Sequence, residues 1–359
     1  MAEVHLFEPS GYAGVFQHVC RLAQLLGRAG IRVVVHTGHE HEQLPGTESL
    51  EMCGCSWWPR HQRRGLPRSA AITGRYVGRT LPHLRAAAPR GSIVHLQGIA
   101  ASGVLNATTL LATRLAGRRA VYSPHDAFSR RGSIDDAFLR VALRIADGVI
   151  VHTRPDAETL GRAGIIAHYS PLVQVVPAAD DVRRRRWRQE WRAAETDQVV
   201  LFAGWIRPEK RLDLVIESAR RWPSSWRLAV VGQDRGGWES CATLARRRGV
   251  NIAARLEFVD LEDFTAAISA ADVIVAPHER ASQSGVLSLA RQLGVPAVAA
   301  DVGGLGELAT GTFPSGDVDG LTHALDMALA HERPRPLSLD EKMTVESHLR
   351  AYGMTERGG

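Results

Sequence analysis

At 359 residues, with 45% hydrophobic and 23% charged side chains, the chain has ordinary globular composition and the length of about two domains. That balance excludes a disordered or fibrous chain, and four cysteines (Cys20, Cys53, Cys55 and Cys241) are too few and too scattered for a disulfide framework. Lys and Arg number 44 against 38 Asp and Glu, a surplus carried almost wholly by arginine, which favours anionic partners without choosing among them.

No apolar run approaches the ~18 residues of a membrane span, and the start MAEVHLFEPS lacks a basic flank leading into a long apolar core. A cytoplasmic protein with reduced thiols is expected. Cys53-Gly54-Cys55 has the form of half a metal site, but no second Cys/His pair follows at ligand spacing, and no metal is expected.

In chain order, a first strand exits into Gly11-Tyr12-Ala13-Gly14-Val15, which opens a helix over 15–26 with Val19, Leu22, Leu25 and Leu26 on one face. This turn is like a phosphate-cradling loop but lacks the third glycine of a dinucleotide fingerprint. Unbroken β-branched runs follow at 32–36, 93–96, 120–123 and 149–152. Such runs suit strands buried on both faces, as in parallel sheets covered by helices. Among the 15 histidines, His125 stands out: it follows a strand at the carboxyl edge, shaped by Pro124 and beside Asp126. His95 and His152 fall within strand runs and read as satisfied core or near-core histidines.

The apolar pattern stops at 177–197, where the join between two doubly wound α/β domains is expected. The run Arg183-Arg184-Arg185-Arg186-Trp187-Arg188 there reads as a solvated helical first turn or linker rather than a nucleic-acid surface, because Glu190 and Trp191 follow at helical spacing. The expected divisions are 1–180, 181–335 and a C-terminal helix over 336–359 returning to the first domain.

In the second half, strand runs occur at 199–202, 228–231, 256–259, 273–276 and 297–300. Open parallel sheets bind ligands beyond the carboxyl ends of their strands, so the loops there matter most. After 199–202 comes Gly204-Trp205-Ile206-Arg207-Pro208-Glu209-Lys210, then a helix over 212–219. Arg207 and Lys210, three apart at a helix start, can reach one anion together. Two cations at a helix N-terminus are unfavourable unless something negative binds there. After 273–276, Ser282, Gln283, Ser284, Gly285 and Val286 make a helix start of small donors. It can hold a phosphate, or Ser282 or Ser284 can simply cap the helix. Gly304-Leu305-Gly306-Glu307-Leu308-Ala309 matches a dinucleotide G-x-G-x-x-A, but it comes late in its domain with no acidic residue placed for ribose.

Together these pieces resemble the retaining GT-B glycosyltransferases of family 4, the glycosyl transferases group 1. Ala13 to Val19 looks like the family's Gly-Gly loop and first helix. Tyr122 to Asp126 resembles the segment carrying its active-site histidine, and Ala146 to His152 a following strand. Leu201 to Asp213 resembles its "fvGr..peKgld" segment. Ala271 to Pro277, and Gly294 to Glu307, resemble its "aDv.v.PS" and "GkPVVasdvGG.pE" blocks. The family's E-x7-E glutamates fall on Ala281 and Leu289, and its usual arginine after the glycine on Trp205. The Ser-Gln-Ser-Gly-Val loop looks like a variant of that region.

The resemblance implies two Rossmann-like domains facing an interdomain cleft, the first binding the acceptor and the second a nucleotide sugar of UDP or GDP type. It implies sugar transfer to a hydroxyl with retention and without metal, and no cofactor beyond that substrate. The residues expected to carry catalysis are His125, Arg207 and Lys210. Those expected at the donor are Gly14, Gly204, Glu279, Ser282, Gln283, Ser284, Gly285 and Val286. The acceptor is a carbohydrate, a lipid-linked compound or a small molecule, with the Arg- and Pro-rich segment 57–90 on its side. Nucleic acid is not an expected partner; peripheral membrane contact is compatible with the charge. The alternative is a non-catalytic nucleotide-sugar binder or helper subunit, motivated by the two absent glutamates.

Overall fold

A computed structural model describes residues 3–56, 74, 76–98, 102–125, 133–178, 180–336 and 341–354. Asp126 and residues 57–73 lie outside them. The chain divides into two compact units, Met1–Val175 with Asp340–Gly359, and Val176–Leu339.

In the first unit, β1 (Glu3–Phe7), β2 (Arg32–Gly38), β3 (Glu51–Ser56), β4 (Ile93–Gln97), β5 (Arg119–Ser123), β6 (Gly148–Val151) and β7 (Ala167–Tyr169) form one parallel sheet. Their order is β3-β2-β1-β4-β5-β6-β7. Helices α1 (Ala13–Arg28), α2 (Leu81–Ala87), α3 (Gly103–Leu115), α4 (Ser133–Ile145) and α5 (Arg154–Arg162) connect the strands. Successive strand residues enter different cores: Leu6, Val121 and Ile150 join Val19, Leu22 and Leu26 of α1, while Phe7, Tyr122 and Val151 join Leu105, Leu110 and Leu139. Both faces are therefore buried, which is why the strands read as unbroken apolar runs. Leu22 and Leu26 are fully buried, each such side chain contributing about 1.5–3 kcal/mol.

The second unit begins with α6 (Asp181–Glu190), followed by β8 (Gln198–Ala203), α7 (Leu212–Ala219), β9 (Trp226–Val231), α8 (Trp238–Arg248) and β10 (Ile252–Arg255). It continues through α9 (Leu261–Ala270), β11 (Val273–Ala276), α10 (Gly285–Gln292), β12 (Ala297–Ala300), β13 (Gly311–Phe313) and α11 (Val318–Ala330). The strand order β10-β9-β8-β11-β12-β13, all parallel, is that of a dinucleotide-type doubly wound sheet. Helix α12 (Glu341–Ala351) packs on β6 and β7 of the first unit, and Tyr352 just beyond it hydrogen-bonds His95 at 2.9 Å.

Two local expectations change. The strand expected at 256–259 is Ile252–Arg255 instead, with 256–259 in the following loop. Gly249, at φ +67, ends α8 and returns the chain early enough for Ile252 to lie beside Leu228. By residue 256 the partner strand has already left the sheet, its last bond running from Gly232 N–H to the Arg255 carbonyl.

Of the two readings of the arginine run, helical turn or linker, the helical one holds and the linker falls: the run lies in helix α6, capped by the Asp180 carboxylate. Arg183 pairs with Asp180, Glu262 and Asp263, Arg186 with Asp263, and Arg188 with Asp272. Trp187 is fully buried, with the Arg255 guanidinium 4.0 Å from its ring centre. Much of the run's charge is thus matched within its own unit.

Candidate active site

Strand order reverses between β8 and β11, and at such a switch point the loops leaving the two strands diverge to form a ligand crevice. Those two loops carry the second half's candidate residues. Gly204, the first residue past β8, has φ +98, a left-handed value that a β-carbon disfavours. A β-carbon there would also stand 3.4 Å from both the Lys210 amino nitrogen and a Val286 methyl. The Lys210 ammonium and the first turn of α10 therefore converge over a bare stretch of backbone. Lys210 arrives there because Pro208–Lys210 form a single 3-10 turn, and Arg211, at φ +53, then redirects the chain into α7.

Arg207 precedes that turn. Its guanidinium lies 4.5 Å from the Trp205 ring centre and 3.7 Å from the Glu209 carboxylate. Arg235 approaches the same indole at 5.4 Å. Trp205 stands where the resemblance places an arginine, and it serves as the platform for Arg207. The Arg207–Glu209 pair is partly exposed, and pairs of that kind contribute about 0–1 kcal/mol, so a multivalent anion can readily displace the carboxylate.

The β11 loop is fixed on two sides. The Glu279 N–H donates to the Glu209 carbonyl at 2.9 Å, and the Gly304 N–H donates to the Ser282 carbonyl at 3.0 Å. The Glu279 side chain is exposed. The Ser284 hydroxyl accepts from the Leu287 N–H at 3.3 Å, capping α10 and leaving the N–H groups of Gly285 and Val286 at the helix start. Capping and anion binding thus coexist in this loop. Leu289, where the resemblance places a glutamate, is buried in the core behind α10.

The dinucleotide-like Gly304–Ala309 stretch serves that loop. A β-carbon on Gly303 would lie 1.9 Å from the Ala281 carbonyl oxygen. The segment forms only a 3-10 turn, Leu305–Glu307, before β13. With no α-helix N-terminus after it, a pyrophosphate would find no fingerprint site there.

In the first unit, His125 stands two residues past the end of β5, after Pro124, not alone but in a cluster. Its ring stacks on His152, with centroids 4.9 Å apart, and meets His18 of α1 edge-on at 5.6 Å. His18 and His152 are themselves 4.7 Å apart. The His125 Nε2–H donates to Gln97 Oε1 at 2.8 Å. Nδ1 of His152 donates to the Ser170 carbonyl at 3.0 Å, and Nδ1 of His18 to the Val173 carbonyl at 2.9 Å. The Nε2 atoms of His18 and His152 make no hydrogen bond among the described residues.

Burial, reinforced by the neighbouring imidazoles, pushes His18 and His125 well below the ordinary histidine value, and burial takes His152 down to about 4. The cluster is neutral, offering hydrogen bonds rather than positive charge. His95 is a satisfied core histidine as expected, bonded to Tyr352 and Ser123. His152 is buried near the core, and because β6 ends at Val151 it also lies at the carboxyl edge beside His125. His18 and Gln97 were not singled out from sequence. The available signal was their spacing, His18 one helical turn after Gly14 and Gln97 at the end of a strand.

Gly14 lies in the first turn of α1, with Gln174 Nε2 3.4 Å from where its β-carbon would be. The loop before it is already occupied. Buried Glu8 accepts from the N–H groups of Ser10 and Gly11, and Glu42 from that of Ala13. Those three donors are engaged internally, unlike those of a loop that cradles phosphate.

Comparison with known proteins agrees with this geometry. The Glycosyl transferase 4-like domain family matches residues 13–179, and the Glycosyl transferases group 1 family matches residues 197–331. A D-inositol 3-phosphate glycosyltransferase of Mycobacterium tuberculosis is 32% identical over 212 residues, 54% of this chain and 44% of that protein. The match thus spans less than half the length of such relatives. Sucrose-phosphate synthase from Thermosynechococcus elongatus superposes with a TM-score of 0.69 at 17% identity, over 99% of this chain and 95% of that one. HepE of Anabaena, solved in complex with UDP-glucose, gives 0.67 at 16% identity, over 98% and 95%. The chain belongs to the group 1 glycosyl transferases, glycosyltransferase family 4, and has their GT-B fold.

Proposed function

We propose that the protein transfers a hexosyl group from a nucleotide sugar to a hydroxyl acceptor. The observation that carries this reading is the convergence of the Lys210 ammonium, the Gly204 turn and the start of α10 at the switch point of the second sheet. The donor's diphosphate is assigned to that place, held by Lys210, Arg207 and the N–H groups of Gly285 and Val286. Ser282, Gln283 and Ser284 shape the loop, and Glu279 contributes through its backbone bond to Glu209. Charge develops on the diphosphate as the glycosidic bond breaks. Cations and dipoles already fixed in place stabilise that charge without reorganising, which is where they lower the barrier most.

The first unit is assigned the acceptor and the sugar's hydroxyls. A neutral imidazole fixed by its Nε2–H bond to Gln97 suits orienting a hydroxyl better than delivering a proton. Retention and metal independence are part of the reading, supported by the family. A UDP sugar is the first candidate donor, because HepE was solved with UDP-glucose. Among the described residues no helix is long and apolar enough to cross a membrane. The proposal is tested by incubating the purified chain with UDP-, GDP-, ADP- and dTDP-sugars and measuring nucleoside diphosphate release. Release from one class, raised by an acceptor and abolished in Lys210→Ala, is the expected result. No release from any class, despite binding, would instead favour the helper-subunit alternative.

A further inference from the structure

The first sheet brings together three side chains that the sequence leaves far apart. His36 of β2 and Cys53 of β3 are register partners, so both point to the same face of the sheet. His83, on α2 over that face, places Nε2 3.1 Å from the Cys53 sulfur. One ligand-type atom from each of His36, Cys53 and His83 lies within 4.8 Å of the other two, the only such group among the described residues. The 3.1 Å separation of Cys53 sulfur and His83 nitrogen is near the ~3.5 Å edge expected of a tetrahedron with metal–nitrogen bonds of about 2.0 Å and metal–sulfur bonds of about 2.3 Å.

His36 also has the backing usual for a metal-bound imidazole. Phe7 pairs with His36 across β1 and β2, so His5, two residues earlier, lies on that same face. His5 Nδ1 meets His36 Nε2 at 2.8 Å, and His5 Nε2 lies 3.6 Å from the Glu3 carboxylate. The bond to His5 holds the His36 ring in place. A second imidazole bonded in this way orients a ligating ring, and the Glu3 carboxylate stands close behind it.

We propose that His36, Cys53 and His83 form a binding site for a divalent zinc-type ion, with His5 and Glu3 as positioning residues. Two imidazoles and a thiolate are a borderline-soft set that selects zinc over magnesium or calcium. On binding, the Cys53 thiol gives up its proton to solvent, and its sulfur and His83 exchange their mutual hydrogen bond for bonds to the ion. A fourth position is left for water. The ion would tie the edge strand β3 and helix α2 to β2. Sugar transfer is assigned to other residues, so this site stabilises the first unit rather than taking part in that reaction.

The test is a Co2+ titration of the chelator-treated full chain, followed by displacement with Zn2+. The expected result is one equivalent of Co2+ with tetrahedral ligand-field bands and a sulfur-to-cobalt charge-transfer band. The charge-transfer band should vanish in Cys53→Ser and persist in Cys241→Ser. Affinity should fall about tenfold or more in His83→Ala and in His5→Ala. Zn2+ should raise the melting temperature of the wild-type chain and not that of Cys53→Ser, which also reports if a variant folds poorly. Less than one equivalent of Co2+ in the wild type, or a charge-transfer band surviving in Cys53→Ser, would overturn the proposal.

Discussion

A β-carbon on Gly204 would stand 3.4 Å from the Lys210 amino nitrogen, so the turn and the cation share one small volume. Gly204→Ala would push Lys210 and Val286 apart and strain a backbone at φ +98. Its kcat/KM should fall at least about tenfold, an effect of about 1.4 kcal/mol or more, with far-ultraviolet circular dichroism unchanged. Lys210→Ala and Arg207→Ala remove the charges themselves. Each should lower kcat/KM by about 3 kcal/mol, in line with the loss of one preorganised donor. Steady-state kinetics on the three variants checks this, and near wild-type turnover in Lys210→Ala would defeat the assignment.

Two more glycines, both at positive φ, also permit a close backbone contact. A β-carbon on Gly232 would come within 2.0 Å of the Gly204 carbonyl oxygen, and one on Gly303 within 1.9 Å of that of Ala281. Both oxygens belong to the loops that bear the donor residues, and neither gap can close without moving backbone. Gly232→Ala and Gly303→Ala should each abolish the rise in melting temperature that a nucleoside diphosphate gives the wild-type chain. A shift of wild-type size in either would show that the loops need not sit where they do.

The buried histidines predict an acid-sensitive first unit. His152 is held to about 4 by burial, against an ordinary value of 6.5, and burial also holds His18 and His125 well below that ordinary value. Below pH 6.5 the unfolded chain takes up protons that the folded chain refuses, so acid favours unfolding. Stability should fall as pH drops from about 6.5 towards 4, by about 1.4 kcal/mol per pH unit for each histidine that stays neutral. Urea denaturation between about pH 7 and about pH 5 measures this slope, and His152→Gln should flatten it.

Asp263 joins α9 to α6, accepting from Arg183 at 3.1 Å and Arg186 at 2.8 Å. Both arginines are partly exposed, so the pairs are modest individually. Asp263→Ala should destabilise the second unit by about 1–2 kcal/mol, less at high salt, as both arginines lose a partner. Chemical denaturation at low and high ionic strength checks it.

The fold was legible because parallel strands buried on both faces carry their apolar runs openly, as in 199–202 and 273–276. Residues 256–259 misled because they look strand-like, yet the strand is fixed earlier by where Gly249 releases the chain beside Leu228. In the site, the loops after β8 and β11 were visible as glycine, cations and small donors directly following strands. Their clamping by Gly303 and by the Glu279–Glu209 bond was not, since long-range backbone contacts leave no spacing to read. The grouping of His18, His125 and His152, like that of His36, Cys53 and His83, has the same cause. His125 and Cys53 are visible singly, but their partners are not, and only sheet order makes them neighbours.

The most direct test of the central claim is calorimetric titration of UDP against uridine, and of GDP against guanosine, into the wild-type chain, Lys210→Ala and Arg207→Ala. The account predicts that the wild type prefers a diphosphate to its nucleoside, and that each substitution reduces this preference about tenfold or more. An undiminished preference in both variants would place the diphosphate away from Arg207 and Lys210 and contradict the account.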